Sequence, residues 1–346
     1  MLTNGGPMQQ RFETALADHL GVPNVSTVAN ATLGLVLALV QHGVQCHEVI
    51  TTPFSFIATG HSVLWAGATP VFADIERRTL GLDPEAVERA ITPRTKAILA
   101  VHCYGFACDV VGLGQVADRH GIPLIYDAAH AFGVRLRGQS LLAHGHTSVL
   151  SFHATKVFNT FEGGAVVSRN AAAKLEMDRL INYGIVDDVH VDSVGMNAKA
   201  SEFTAALGLV QLGHVGEYLE RRRLVDGRYR ELLDGIPGLV CLAPPAEQEH
   251  NYYNFPILVD PGCGLSRDQL FAELRARGVH ARRYFFPLIG HFPMYRQFPT
   301  ADPARTPVAA EIAERVLCLP MFPDLEEQEQ LGIADTIRAA FARAGS

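Results

Sequence analysis

What this sequence lacks narrows it first. No apolar run reaches the roughly 18 residues that a membrane helix needs. No long basic run is present and the net charge is −7, which argues against nucleic acid as a partner. The densest basic cluster, Arg221-Arg222-Arg223, lies in a helical pattern and reads as a solvated face. Six cysteines (Cys46, Cys103, Cys108, Cys241, Cys263, Cys318) have no paired spacing, which suits reduced thiols in a cytosol. Cys103/Cys108 and the loop histidines His144/His146 do not have the spacing of zinc ligands, so no metal site is expected. The start, Met1 to Pro7, has no signal-peptide pattern. Internal repeats and low-complexity segments are absent.

What is there is ample apolar material, 48% of 346 residues, enough for a large core and a length that allows two domains. Apolar strand patterns alternate with helical ones from Asn24 to Ser168. Strands are expected near 24–29, 48–52, 69–75, 96–102, 122–126, 148–152 and 165–168. Helices are expected near 33–40, 56–66, 84–90 and 110–120. Such alternation implies an α/β fold with a largely parallel sheet covered on both faces, and ligands beyond the carboxyl ends of the strands. A long helical stretch from Ser201 to about Leu233, broken near Gly213, leads into shorter elements. These include strands at 252–259 and 280–286 and helices at 267–277 and 307–315. The expected organisation is a large domain, 1–220, and a small α+β domain, 221–346.

Three strand ends carry chemistry. The strand–turn–helix junction at Asn30-Ala31-Thr32 leaves free N–H groups suited to an anion, with a plain cap by Thr32 as the alternative. After Tyr126 comes Asp127, a carboxylate that is costly to bury unpaired. After the strand ending at Phe152 comes Lys156, a lysine placed to be partly desolvated and hence nucleophilic. Phe54 and Phe56, after a fourth strand, offer a face to a planar ligand or belong to the core. A decoy, Gly112-Leu113-Gly114-Gln115-Val116-Ala117, fits the loose dinucleotide fingerprint, but no strand precedes it.

The order of phosphate junction, aromatic, carboxylate and lysine suits pyridoxal phosphate. Here the chain resembles the sugar-nucleotide aminotransferases of the DegT/DnrJ/EryC1/StrS family, which have the aspartate-aminotransferase fold (fold type I). The resemblance covers nearly the whole chain. It is carried by Thr52 to Thr59, by Ala66 to Ile75, by Tyr126-Asp127-Ala128-Ala129-His130-Ala131-Phe132-Gly133, and by Ser151-Phe152-His153-Ala154-Thr155-Lys156 with Phe158 to Gly164.

The resemblance implies that Lys156 is the Schiff-base lysine and proton shuttle, that Asp127 partners the pyridinium nitrogen, and that His130 lies by O3′. It implies that Phe56 stacks on the ring and that Ala31, Thr32 and Ser151 hold the phosphate. Asn197 would reach the other subunit's phosphate, which implies a homodimer with shared sites, cytoplasmic as the cysteines suggest. Tyr284 and His291 would meet the nucleotide sugar. Asn30 departs from the family's usual Ser-Gly-Thr-like turn. The lysine segment and Ala281 to Pro287 look most like members that aminate C4 of dTDP-4-keto-6-deoxyglucose, with glutamate as donor. Alternatives are a C3 keto-sugar or amino-cyclitol aminotransferase. From other classes come an NAD-dependent oxidoreductase and a non-catalytic sensor that binds pyridoxal phosphate.

Overall fold

The computed structural model describes residues 5–344. Met1 to Asn4, part of the start read above as no signal peptide, lie outside the described residues. The chain order begins with helix α1 (Pro7–Leu20), strand β1 (Val25–Val28), α2 (Ala31–Gln41), β2 (Glu48–Thr51), α3 (Ile57–Trp65), β3 (Thr69–Phe72), α4 (Pro84–Ala90) and β4 (Thr95–Val101). It continues through α5 (Val110–His120), β5 (Leu124–Asp127), β6 (Arg135–Leu136), β7 (Gln139–Ser140), β8 (Thr147–Ser151) and β9 (Gly164–Ser168). Helices α6 (Ala171–Ile181), α7 (Glu202–Leu212) and α8 (Val215–Leu233) follow. The last part holds β10 (Leu239–Cys241), β11 (Gln248–Glu249), β12 (Phe255–Val259), α9 (Arg267–Ala276), α10 (Pro307–Arg315), β13 (Val316–Leu319) and α11 (Glu327–Ala344).

Seven strands form the main sheet in the order β1-β9-β8-β5-β4-β2-β3, and only β9 runs against the rest. Its strands are almost wholly buried because helices cover both faces, so they read as apolar runs and not as alternations. Parallel direction puts the ends of β2, β4, β5 and β8 on one edge. There Val101 lies beside Asp127, and Ser151 beside Gly164, which in turn faces Val28. A smaller antiparallel sheet, β10-β12-β13, packs against α8, α9 and α11 through Tyr229, Phe255, Leu270, Leu317 and Ile337.

Two expectations change and one holds. The stretch 280–286 is not a strand; only Arg282 bridges to Cys318, and Tyr284 and Phe285 turn inward to an aromatic cluster with Phe54 and Tyr104. The long helix breaks at Gly213-His214 into α7 and α8, as its glycine suggests. Arg222 is not part of a solvated face. It is 6% exposed and donates to the carbonyls of Tyr252, Tyr253 and Met321, whereas Arg221 and Arg223 form exposed ion pairs. The glycines of the decoy fingerprint sit inside α5, whose N-cap is the Asp109 carboxylate. All six cysteines are free thiols.

Candidate active site

The site grows out of the strand ends. Helix α2 starts right after β1, and its N-cap is Asn30, whose Oδ1 accepts the Leu33 N–H at 3.0 Å. The cap expected from Thr32 is therefore Asn30, because only the residue before the first helical turn has the extended backbone a cap needs. This accounts for Asn30 in its unusual place. It leaves the Ala31 and Thr32 N–H groups without an intrahelical acceptor at a positive helix end. Gly164 lets α2 come this close: a Cβ there would stand 3.0 Å from Ala31 N and 2.7 Å from the Leu150 carbonyl.

The lysine loop is pinned by aromatics. Phe152 and Phe158 meet edge to face at 4.9 Å, and Phe132 stacks on Phe158 at 4.5 Å. Backbone bonds from Phe152 to Gly163 and from Thr160 back to Phe152 close the loop like a hairpin. Lys156 is thereby held half-buried, with its own N–H on the His153 carbonyl. Burial lowers its ammonium to about 8, against the pull of Asp127. Among the described residues the one hydrogen bond of Nζ runs to Tyr253 Oη, at 3.2 Å.

Asp127 ends β5 and is 6% exposed. Its Oδ2 takes the Thr59 hydroxyl at 2.8 Å and its Oδ1 takes the Ala129 N–H at 3.1 Å, with Ser55 behind Thr59. Burial raises its carboxyl above the usual range; Thr59, Ala129 and Lys156 oppose that. His130 accepts the Tyr104 N–H on Nδ1 at 3.1 Å. Burial, with Lys156 adding to it, holds this imidazole well below its ordinary range. It is therefore neutral, with Nδ1 an acceptor and the proton on Nε2.

One cavity of about 630 Å³ gathers most of the expected residues: Ala31 and Thr32, Phe56, Asp127 and His130, Ser151 and Lys156, and Tyr284. Phe56 is 59% exposed at its rim, so it is open to a ring and not core, unlike Phe54. Two residues do not line the cavity. Asn197 is exposed and bridges Asn182, and His291 sits in a half-buried turn with its carbonyl on Arg296. The structure adds Thr59, Ser55 and Tyr253. Ser55 and Thr59 could have been read as two hydroxyls four residues apart at an apolar helix start. Tyr253 carries no such signal, because it lies 97 residues from Lys156.

The donor set fits a phosphorylated pyridine aldehyde. An anion-binding helix end, a buried carboxylate, a neutral histidine donor and a partly deprotonated amine share one cavity. A model of the DegT/DnrJ/EryC1/StrS aminotransferase family matches residues 1–338. The chain belongs to this family.

Within this family, the chain is 46% identical over 336 residues to a dTDP-4-amino-4,6-dideoxy-D-glucose transaminase of Shigella dysenteriae, covering 97% of this chain and 91% of the relative. It is 44% identical over 329 residues to the Escherichia coli protein of the same name, covering 94% and 88%. Among solved structures, DesI in the presence of its TDP-sugar product matches with a TM-score of 0.93 and 38% identity, over 99% of this chain and 86% of that one. The chain is thus an aminotransferase, and its α/β architecture is the fold expected for the family. Among the described residues no group of three or more His, Cys, Asp or Glu could hold a metal ion, and no helix is long and apolar enough to cross a membrane.

Proposed function

We propose that this aminotransferase binds pyridoxal 5′-phosphate and moves an amino group from glutamate to C4 of dTDP-4-keto-6-deoxyglucose. The observation that carries the reading is the pairing of a half-buried Lys156 with a buried Asp127 in a cavity closed by the start of α2. The likeness to 4-amino-sugar transaminases supports the sugar. When bound, the cofactor supplies an aldehyde for amines and a ring that withdraws electrons from the carbon being deprotonated.

This chain's residues do the rest. Ala31 and Thr32 N–H groups with the Ser151 hydroxyl bind phosphate. Asp127, fixed by Thr59 and Ala129, presents a carboxylate to the ring nitrogen and keeps its proton there. His130 donates from Nε2 to the ring oxygen, and Phe56 covers the ring. Lys156 Nζ takes the proton from Cα of the amino donor and returns one to the sugar carbon that receives nitrogen. Tyr284, at the cavity wall, and His291 contact the nucleotide sugar. Residues 1–220 form the cofactor-binding domain and 221–346 the small domain of a cytoplasmic enzyme.

Asn197 belongs to the same reading, as a residue that holds the partner's phosphate in a homodimer. Exposed Val189, Val191 and Val194 lie close to it in sequence and suit a covered face. A lost hydrogen bond to a charged group costs about 1.5–3 kcal/mol, so Asn197→Ala is expected to weaken cofactor retention by roughly tenfold or more. Equilibrium dialysis against free cofactor measures this. A fully active, cofactor-loaded monomer at micromolar concentration would remove the shared site.

The activity is tested with purified enzyme, glutamate and candidate keto sugars. The expected products from dTDP-4-keto-6-deoxyglucose are its 4-amino sugar and 2-oxoglutarate, in equal amounts. Amination of only a 3-keto sugar nucleotide, or of a cyclitol ketone, would overturn the substrate assignment.

A further inference from the structure

The segment Gln248 to Tyr253 is fastened to the rim of the cavity by more polar contacts than a connection needs. The Gln248 side chain donates to the Gly105 carbonyl at 2.7 Å and accepts the Ala107 N–H at 2.8 Å. Asn251, 1% exposed, donates to the carbonyls of His130 and Phe132 at 2.8 and 3.0 Å, and accepts the Tyr253 N–H at 3.3 Å. From the other side Arg222 Nη1 donates to the carbonyls of Tyr252 and Tyr253 at 3.3 and 3.4 Å. A buried arginine spent on backbone carbonyls is costly unless their position matters. Tyr252 also takes a left-handed backbone, φ 53, so the turn is held in a conformation a free chain avoids.

What this frame delivers to the cavity is the ring of Tyr253. It stacks on His130 with centroids 4.5 Å apart, and Lys156 Nζ lies 4.8 Å from its centroid and 3.2 Å from its hydroxyl. Asp127, the nearby carboxylate, already holds Thr59 and Ala129. We propose that Tyr253 is the positioning residue of the reactive lysine, and that its hydroxyl holds the Lys156 amine whenever that amine is free.

The chemistry favours a phenol there. In the proposed reaction Nζ must gain and lose a proton. A hydroxyl accepts from the ammonium and donates to the neutral amine, so it can hold both forms in one place. A carboxylate would bind only the ammonium and hold it charged. Burial keeps this phenol neutral, pushed up to about 12 with the Thr155 hydroxyl opposing, so it does not add a competing anion. If packing were its whole function, phenylalanine would serve as well, since the stack on His130 uses only the ring.

The proposal rests on the assignment of Lys156 made above, and its test separates the two. Tyr253→Phe in the cofactor-loaded enzyme is expected to lower kcat about tenfold, the scale of one hydrogen bond to a charged group, with KM for the sugar nucleotide changed less than twofold. The ammonium loses an acceptor, so its titration should move to lower pH. The acid limb of the kcat profile, which reads the lysine in the states where its amine is free, should follow. Tyr253→His, which restores a group able to accept and donate, should recover part of the rate. A Tyr253→Phe enzyme with kcat within twofold of the parent and an unmoved acid limb overturns the proposal. Because that enzyme would still turn over through Lys156, the lysine assignment would stand.

Discussion

Lys156→Ala is expected to abolish turnover, by at least ~10⁴-fold, and to leave the fold intact. Two roles vanish together, since in the proposed reading Nζ is both the amine that anchors the aldehyde and the base that moves the proton. The fold should tolerate the change. Lys156 ends in a cavity, its backbone bond to His153 does not involve the side chain, and the loop is held by Phe152, Phe158 and Phe132. Removing an ammonium that burial disfavours should not cost stability. In the parent protein without cofactor, this lysine's pKa is lowered in the folded state to about 8. The unfolded chain, near 10.4, then binds more protons above pH 8, so the lysine's destabilising contribution fades as pH rises through that window. The Ala variant should lack this rise. Near-native transamination by Lys156→Ala would remove the catalytic assignment.

Asp127→Asn is expected to keep the cofactor but slow each half-reaction by ~10²–10⁴-fold, the scale of removing one key electrostatic group. The amide oxygen can still accept the Ala129 N–H and its NH2 can donate to the Thr59 hydroxyl, so the architecture around it survives. What is lost is the negative charge that, in the proposed reading, would hold the ring nitrogen protonated. The same charge raises the Lys156 pKa, so the variant's lysine should titrate lower still. Stopped-flow absorbance with glutamate alone reads the first half-reaction. A loss below about threefold would make Asp127 a strand-end turn residue.

Much of this was legible in the sequence because the chemistry sits where strands end. Buried parallel strands read as short apolar runs, and the polar residues shortly after each run are the ones the fold delivers to the edge. Thus Asp127 after Tyr126 and Lys156 after Phe152 could be named before any contact was known. Helices α4, α5 and α10 matched their capped or proline-led patterns from end to end.

What was not legible depends on contacts between distant segments. Tyr253 sits in an apolar stretch that resembles a strand, and nothing local marks its hydroxyl as facing a lysine. Tyr284 and Phe285 have strand-forming side chains, yet packing against Tyr104 and Phe54 draws them out of the sheet. Arg222 lies between two arginines that do face water, and only distant segments, the turn at Tyr252-Tyr253 and Met321, give it its three carbonyls. Helix α11 had no counterpart in the expectations, although Ile333, Ile337 and Phe341 recur at four-residue spacing. Asn197 and His291 lie off this chain's cavity, so their part in the reading depends on a second subunit and on bound substrate.

The most direct test of the central claim is borohydride reduction of the cofactor-loaded enzyme, followed by peptide mass analysis. Reduction makes the bond between lysine and cofactor permanent. The account predicts one reduced pyridoxyl phosphate adduct per chain, on the peptide containing Lys156, and none in the Lys156→Ala protein. An adduct on another lysine, or no adduct in an enzyme that still transaminates, would contradict it.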